Sequence, residues 1–281
     1  MYRLRSRGEG MSRHSTLLAA IAALALGGLA TPALADFSAC DAGLRASDPH
    51  QKIDFYTICL TKGGLVATDR AGAYNNRGIA YLSLGEIDNA LQDFSWAIEN
   101  DPTWGLFHLN RGRIYLQRRD WAKADADFTA ATRQVPIDAR ARAFAWRAQL
   151  RGRQGQYQAA LADDDAAIKW DRKLVLAYND KAWILATCPD AAIRDGRKAV
   201  ELAQTALKLE DSPAGHDTLA AAYAEAGQFD DAAREQSKAI ELLQAKSPNP
   251  APADWQRRLD LYRSGMPFHM AAAPPPDQPA G

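Results

Sequence analysis

Tyr74-Asn75-Asn76-Arg77-Gly78-Ile79-Ala80-Tyr81 is answered 34 residues later by His108-Leu109-Asn110-Arg111-Gly112-Arg113-Ile114-Tyr115, and this pair of octets decides the fold. The register continues through Ala90, Phe94, Ala97 and Pro102, matched by Ala124, Phe128, Ala131 and Pro136. A unit of that length holds two helices, and neither buries its apolar stripe alone. Where two helices cross closely, small side chains are needed. Gly78 and Gly112 supply them in the first helix, Ala90 and Ala124 in the second. The aromatics Tyr81, Tyr115, Phe94 and Phe128 fill the space around the crossing, and Pro102 and Pro136 stop the second helix.

The paired alanines of the second helix recur as Ala160 with Ala167, Ala199 with Ala206, and Ala232 with Ala239. Ala148, Ala182 and Ala220 hold the small position of the first helix, and Gly85, Gly155 and Gly227 mark turns. The later units depart from the pattern, with Asp164, Ala203 and Gln236 where Phe94 and Phe128 stood and about five extra residues around Cys188-Pro189-Asp190. Interval and residue types together resemble the tetratricopeptide repeat family. Leu185 to Asp190, with Arg194-Asp195-Gly196, resembles a bacterial variant of that repeat with a lengthened turn. The resemblance spans roughly residues 71–246. It implies an all-α, right-handed solenoid of five repeats, 71–104, 105–138, 141–174, 175–211 and 213–246, whose first helices line a concave groove.

Ahead of the repeats, residues 36–70 read as a helical hairpin that caps the stack. Cys40 and Cys59 fall at nearly the same height on its two arms, so in an oxidising compartment they are expected to form a disulfide. The alternative, two free buried thiols, stays open. Cys188 reads as a small apolar residue in a buried turn. Residues 253–264 read as an amphipathic capping helix with Trp255, Leu259 and Tyr262 on one face, and residues 265–281 as a disordered tail.

Residues 1–35 have the three parts of a signal peptide: Arg3, Arg5, Arg7 and Arg13, the apolar run Leu17 to Leu29, and an Ala-x-Ala exit at Ala35. Cleavage after Ala35 and a periplasmic or secreted location are the expectation, with Met11 as an alternative start. An uncleaved anchor and a lipoprotein attached at Cys40 are the competing readings. The whole chain has 34 basic and 34 acidic residues. Without residues 1–35 it carries 30 and 33, a balance that offers no electrostatic footprint for nucleic acid or an anionic membrane.

The histidines are scattered without metal-ligand spacing, and no nucleophile elbow, phosphate loop or dinucleotide fingerprint occurs. The run Asp163-Asp164-Asp165 lacks the spacing of a calcium loop and reads as a solvated helix face. A non-enzymatic protein without cofactor or metal, binding a protein or extended peptide, is therefore expected. Residues Asn75, Asn76, Asn110, Arg113, Arg142, Trp146, Gln149 and Asn179 are the candidate groove. Relatives that clamp a peptide carboxylate use Lys, Asn and Arg on successive first helices. Here only Asn110 and Arg142 match, with Ile79 and Trp146 standing where polar residues are required. A second functional class, carbohydrate or cell-wall polymer binding, would use Trp104, Trp121 and Trp146 as exposed stacking platforms.

Overall fold

The computed structural model describes residues 38–62, 64–133, 137–246 and 252–272. The expected signal peptide, Pro136 and residues 273–281 of the tail lie outside them. Among the described residues there are thirteen helices and no strand, in two compact units that divide between Thr103 and Trp104. No helix among them is long and apolar enough to cross a membrane.

The first unit contains α1 (Ser38–Arg45), α2 (Pro49–Thr61), α3 (Ala67–Ser83) and α4 (Ile87–Asn100). Asp48 starts α2: its carboxylate accepts from the Gln51 N–H, with Pro49 at the first helical position. A disulfide joins Cys40 of α1 to Cys59 of α2, with the two Cα atoms 5.2 Å apart. Around it Ala39, Tyr56, Leu65 and Ala73 form a small core. So small a core needs a covalent staple. Replacing both cysteines by alanine is expected to lower the stability of this unit by ~3 kcal/mol, the loop-closure contribution of a bridge of this span. Thermal melting with and without reductant measures it, and equal melting of the two forms would show the staple to be idle.

The second unit pairs α5 (Gly105–Gln117) with α6 (Trp121–Thr132), α7 (Ile137–Arg153) with α8 (Tyr157–Trp170), α9 (Val175–Thr187) with α10 (Gly196–Leu209), and α11 (Pro213–Glu225) with α12 (Phe229–Lys246). The helix α13 (Ala253–Arg263) packs on α12. Leu259 and Tyr262 of α13 are buried, Tyr262 in one core cluster with Leu185, Ala186 and Ala220. Trp255 is half-buried.

The small positions behave as packing requires. All ten paired alanines are buried. A Cβ on Gly78 would stand 2.9 Å from the Phe94 ring, and one on Gly112 would stand 2.8 Å from the Phe128 ring. Each fully buried phenylalanine contributes ~1.5–3 kcal/mol, which the missing Cβ makes possible. Three of the helix–helix turns place Gly85, Gly155 and Gly227 at positive φ; Arg119 takes the same conformation between α5 and α6. In each of these turns a backbone N–H reaches back to a free helix-end carbonyl, as Glu86 does to Tyr81 and Gln156 to Arg151.

The lengthened turn after α9 is built differently. The Asp195 N–H bonds the Leu185 carbonyl, and the Arg194 guanidinium bonds the carbonyls of Cys188 and Pro189. Gly196 then lies so close to the end of α11 that a Cβ would come within 2.6 Å of the Ala226 nitrogen. Cys188 is free and fully buried beside Ala148, Ala160 and Ile184.

Candidate functional site

The predicted groove residues separate by unit. In the first unit Asn75 and Asn76 are buried on α3, at 0% and 4% exposure, so they are interior groups and not part of an open surface. The Asn75 amide donates to the Asn76 side-chain oxygen at 3.3 Å. Asn76 also bonds the Tyr56 phenol, whose pKa burial pushes up to about 12. The helical period alone could not tell these asparagines from outward-facing ones, because neighbours on one turn lie on adjacent faces.

In the second unit the predicted residues lie on the first helices α5, α7 and α9. Asn110, Arg142, Trp146, Gln149 and Asn179 are half-buried, and Arg113 is exposed. The Arg113 guanidinium stands 4.9 Å from the centre of the Trp146 ring. Partial burial and, after it, the nearby Arg142 charge lower the Arg113 pKa. Among the described residues Arg113 makes no ion pair.

Further along, Gln149 of α7 donates to Asp180 of α9, whose carboxyl is raised to about 7 by burial against the lowering effect of Gln149 and Arg153. One Asp180 oxygen and the Asn179 side-chain oxygen are buried without a hydrogen-bond partner among the described residues. Between α7 and α9, Gln149 and Asp180 border a cavity of about 230 Å³, with Arg153, Tyr157, Trp183 and Met270 on its walls.

Met270 belongs to a segment that was expected to be part of a disordered tail. Residues 266–272 instead leave α13 through Gly265, at φ +71°, and run as a strap over α9 and α11. The Met270 N–H bonds the Thr187 carbonyl at 2.7 Å, His269 Nε2 lies 2.7 Å from Glu225 Oε2, and the Phe268 ring is 6.1 Å from that of Trp183. The Arg258 guanidinium stands 5.3 Å from both rings.

The Asp163-Asp164-Asp165 run is a second correction. Asp163 and Asp164 are buried at 4% and 0% exposure, and only Asp165, paired with Lys181, faces solvent. Both Asp164 carboxylate oxygens lack a hydrogen-bond partner among the described residues, and desolvation, reinforced by Asp180, raises its pKa to about 9. It occupies the place that Phe94 and Phe128 fill in earlier repeats.

Asp163 has a structural explanation that the sequence contained but that spacing of apolar residues did not expose. Arg77 with Asp93, Arg111 with Asp127, and Arg147 with Asp163 are each sixteen residues apart, and each forms a two-pronged ion pair with 2.8 Å contacts between the two helices of one repeat. His108 adds a third contact to Asp127, and Arg151 adds one to Asp163. Burial opposes ionisation of Asp127, and Arg111 with His108 outweighs it, so this carboxyl sits below its ordinary range. These arginines are consumed in holding the two helices of each repeat together, in contrast to Arg113.

None of Trp104, Trp121 and Trp146 presents an exposed ring; all are half-buried, and Trp121 and Trp146 pack on the core around Phe128. The sugar-stacking reading finds no open aromatic platform at these positions.

The helix pairs and their small-residue crossings define an all-α helical-repeat solenoid. The family model for the tetratricopeptide repeat matches residues 71–103. The chain is similar to human tetratricopeptide repeat protein 6, 33% identical over 61 residues, which is 22% of this chain and spans 12% of the length of that relative. Among solved structures it is similar to PilW, a type IV pilus biogenesis factor, with TM-score 0.60 and 16% identity over 78% of this chain and 94% of that one. A tetratricopeptide repeat protein from Parabacteroides merdae gives TM-score 0.53 and 17% identity over 80% of this chain and 83% of that one. At these identities the two structures bear on the fold alone. Residues 71–103 are thus matched as a tetratricopeptide repeat, and the helical-repeat fold around them is that of tetratricopeptide-repeat proteins. Such proteins bind protein or peptide partners and are generally scaffolds without enzymatic activity.

Proposed function

We propose that this protein is exported and acts as a scaffold in the cell envelope, holding an extended, acidic segment of a partner protein against the first helices of its second unit. The observation that carries the reading is the Arg113–Arg142–Trp146 cluster. Arg113 has no acid partner among the described residues, and burial together with the Arg142 charge disfavours its ionised form, so a carboxylate or other anion from a partner would complement it. Export rests on the signal pattern of residues 1–35 and agrees with a disulfide, which persists in oxidising compartments. Periplasmic or secreted location after cleavage behind Ala35 follows from the same pattern.

The test is in-cell crosslinking of the full chain followed by mass spectrometry, with and without Arg113→Glu. A recurrent protein partner is expected with the parent chain. Its recovery should fall ~10-fold or more with the charge reversal, since a charge-assisted hydrogen bond contributes ~1.5–3 kcal/mol. Undiminished recovery of the partner by a folded Arg113→Glu chain would refute the acidic-segment reading. Fractionation of cells with alkylation of thiols tests export: reduced Cys40 and Cys59 in the cytoplasmic fraction would overturn it.

A further inference from the structure

The strap over α9 and α11 is an extended chain lying on a first-helix face, and its contacts differ from those of a structural plug. Tyr262 of α13 is fully buried, whereas Met266 is 49% exposed, His269 is exposed and Phe268 is half-buried. Groups of the face beneath also hold one another by contacts that do not involve the strap. Arg194 holds Glu225 at 2.8 Å, and Arg258 packs on Trp183 while paired to Asp217. The strap also underfills its site, since a cavity of about 230 Å³ with Asp180, Trp183 and Ile184 on its walls remains beside Met270.

We propose that this face is a second peptide-binding site, held closed by the chain's own residues 266–270, and that its occupant in trans is an extended partner segment of the same chemistry. That segment carries an aromatic side chain for the slot between Trp183 and Arg258. The next residue has an N–H donor for Glu225, and the backbone N–H after it meets the Thr187 carbonyl. A partner with these groups, and with a side chain longer than Met270 to enter the cavity, displaces the strap and binds where it lay. The site is on α9 and α11 and is independent of the acidic-segment reading at Arg113.

The probe is a fluorescein-labelled peptide of residues 264–272, Ser-Gly-Met-Pro-Phe-His-Met-Ala-Ala, which contains no acidic residue. Fluorescence anisotropy is read with the full chain and with the full chain carrying Phe268→Ala and His269→Ala. The substituted chain is expected to bind the peptide saturably and ~10-fold or more tightly than the parent, whose tethered strap competes at high effective concentration. Adding Trp183→Ala should weaken that binding ~10-fold by removing the aromatic slot. Arg113→Glu should leave it unchanged, which separates this site from the acidic one. Equal affinity of the parent and the substituted, folded chain overturns the proposal. If the double variant fails to fold by circular dichroism, His269→Ala alone takes its place with Phe268 packing retained. It should bind the peptide more tightly than the parent, and equal affinity again overturns the proposal.

Discussion

Arg258→Ala is expected to destabilise the second unit by about 3–5 kcal/mol, the cost of breaking a buried ion pair by removing one partner. Arg258 and Asp217 are 6% and 7% exposed. The guanidinium Nε donates to Asp217 Oδ1 at 3.0 Å, and Nη2 donates to both carboxylate oxygens at 2.8 Å. Gln236, buried where the first two repeats place phenylalanine, donates to the same Oδ1 at 2.8 Å. Burial raises the Asp217 pKa, and Arg258 with Gln236 opposes it. Without Arg258 the carboxylate keeps one hydrogen bond and no counter-charge, and the helix α13 loses its polar anchor to α11. Urea denaturation of the variant measures the loss. Arg258→Met combined with Asp217→Asn removes both charges while keeping most of the volume, and should recover at least half of the stability. A loss below ~1 kcal/mol in the single variant would show the pair to be solvated in solution, as surface pairs are.

Asp164→Asn is expected to stabilise the protein, and to do so more as pH rises. The Asp164 carboxyl ionises at about 9 in the folded chain, far above its ordinary value of 3.8. The unfolded chain therefore releases its proton first. Between those values the folded state binds more protons, so this residue makes stability fall as pH rises. The stability it contributes is fully present below pH 3.8 and is lost progressively as pH rises toward 9, with a slope approaching ~1.4 kcal/mol per pH unit in the middle of that window. Asparagine removes this dependence while keeping the shape of the group. Asp180, raised to about 7, adds a slope of the same sign that the variant retains. The difference in stability between variant and parent should thus grow from near zero at pH 4 to ~3 kcal/mol or more at pH 8. A difference that stays flat across this range would mean that Asp164 is ionised and solvated at neutral pH.

Both predictions fall on residues that a reading of apolar periodicity passes over. The repeats themselves were legible because close approach of two helices constrains residue size at fixed intervals. Gly78 with Phe94 and Gly112 with Phe128 are the same lock at two places. The cysteine bridge was legible because an antiparallel hairpin brings residues at equal distance from its turn to one height. Among the predicted groove residues, Arg113 and Trp146 meet on neighbouring first helices, whereas Asn75 and Asn76 turn inward beside Tyr56. The Arg–Asp pairs at a spacing of sixteen were also present in the sequence, but a charged residue in an amphipathic helix is ordinarily a solvated one, and nothing in its own helix marks the exception.

The amino-acid order thus determined the element type, the repeat length and the crossing points, since helix period and side-chain size are properties each segment carries by itself. The tertiary structure decided which polar groups face inward, that Asp164 is buried without a hydrogen-bond partner among the described residues, and that residues 266–270 lie on the face of α9 and α11. Those outcomes depend on what stands opposite: a carboxylate is solvated or buried, and a strap is held in place, according to groups many residues distant in the chain.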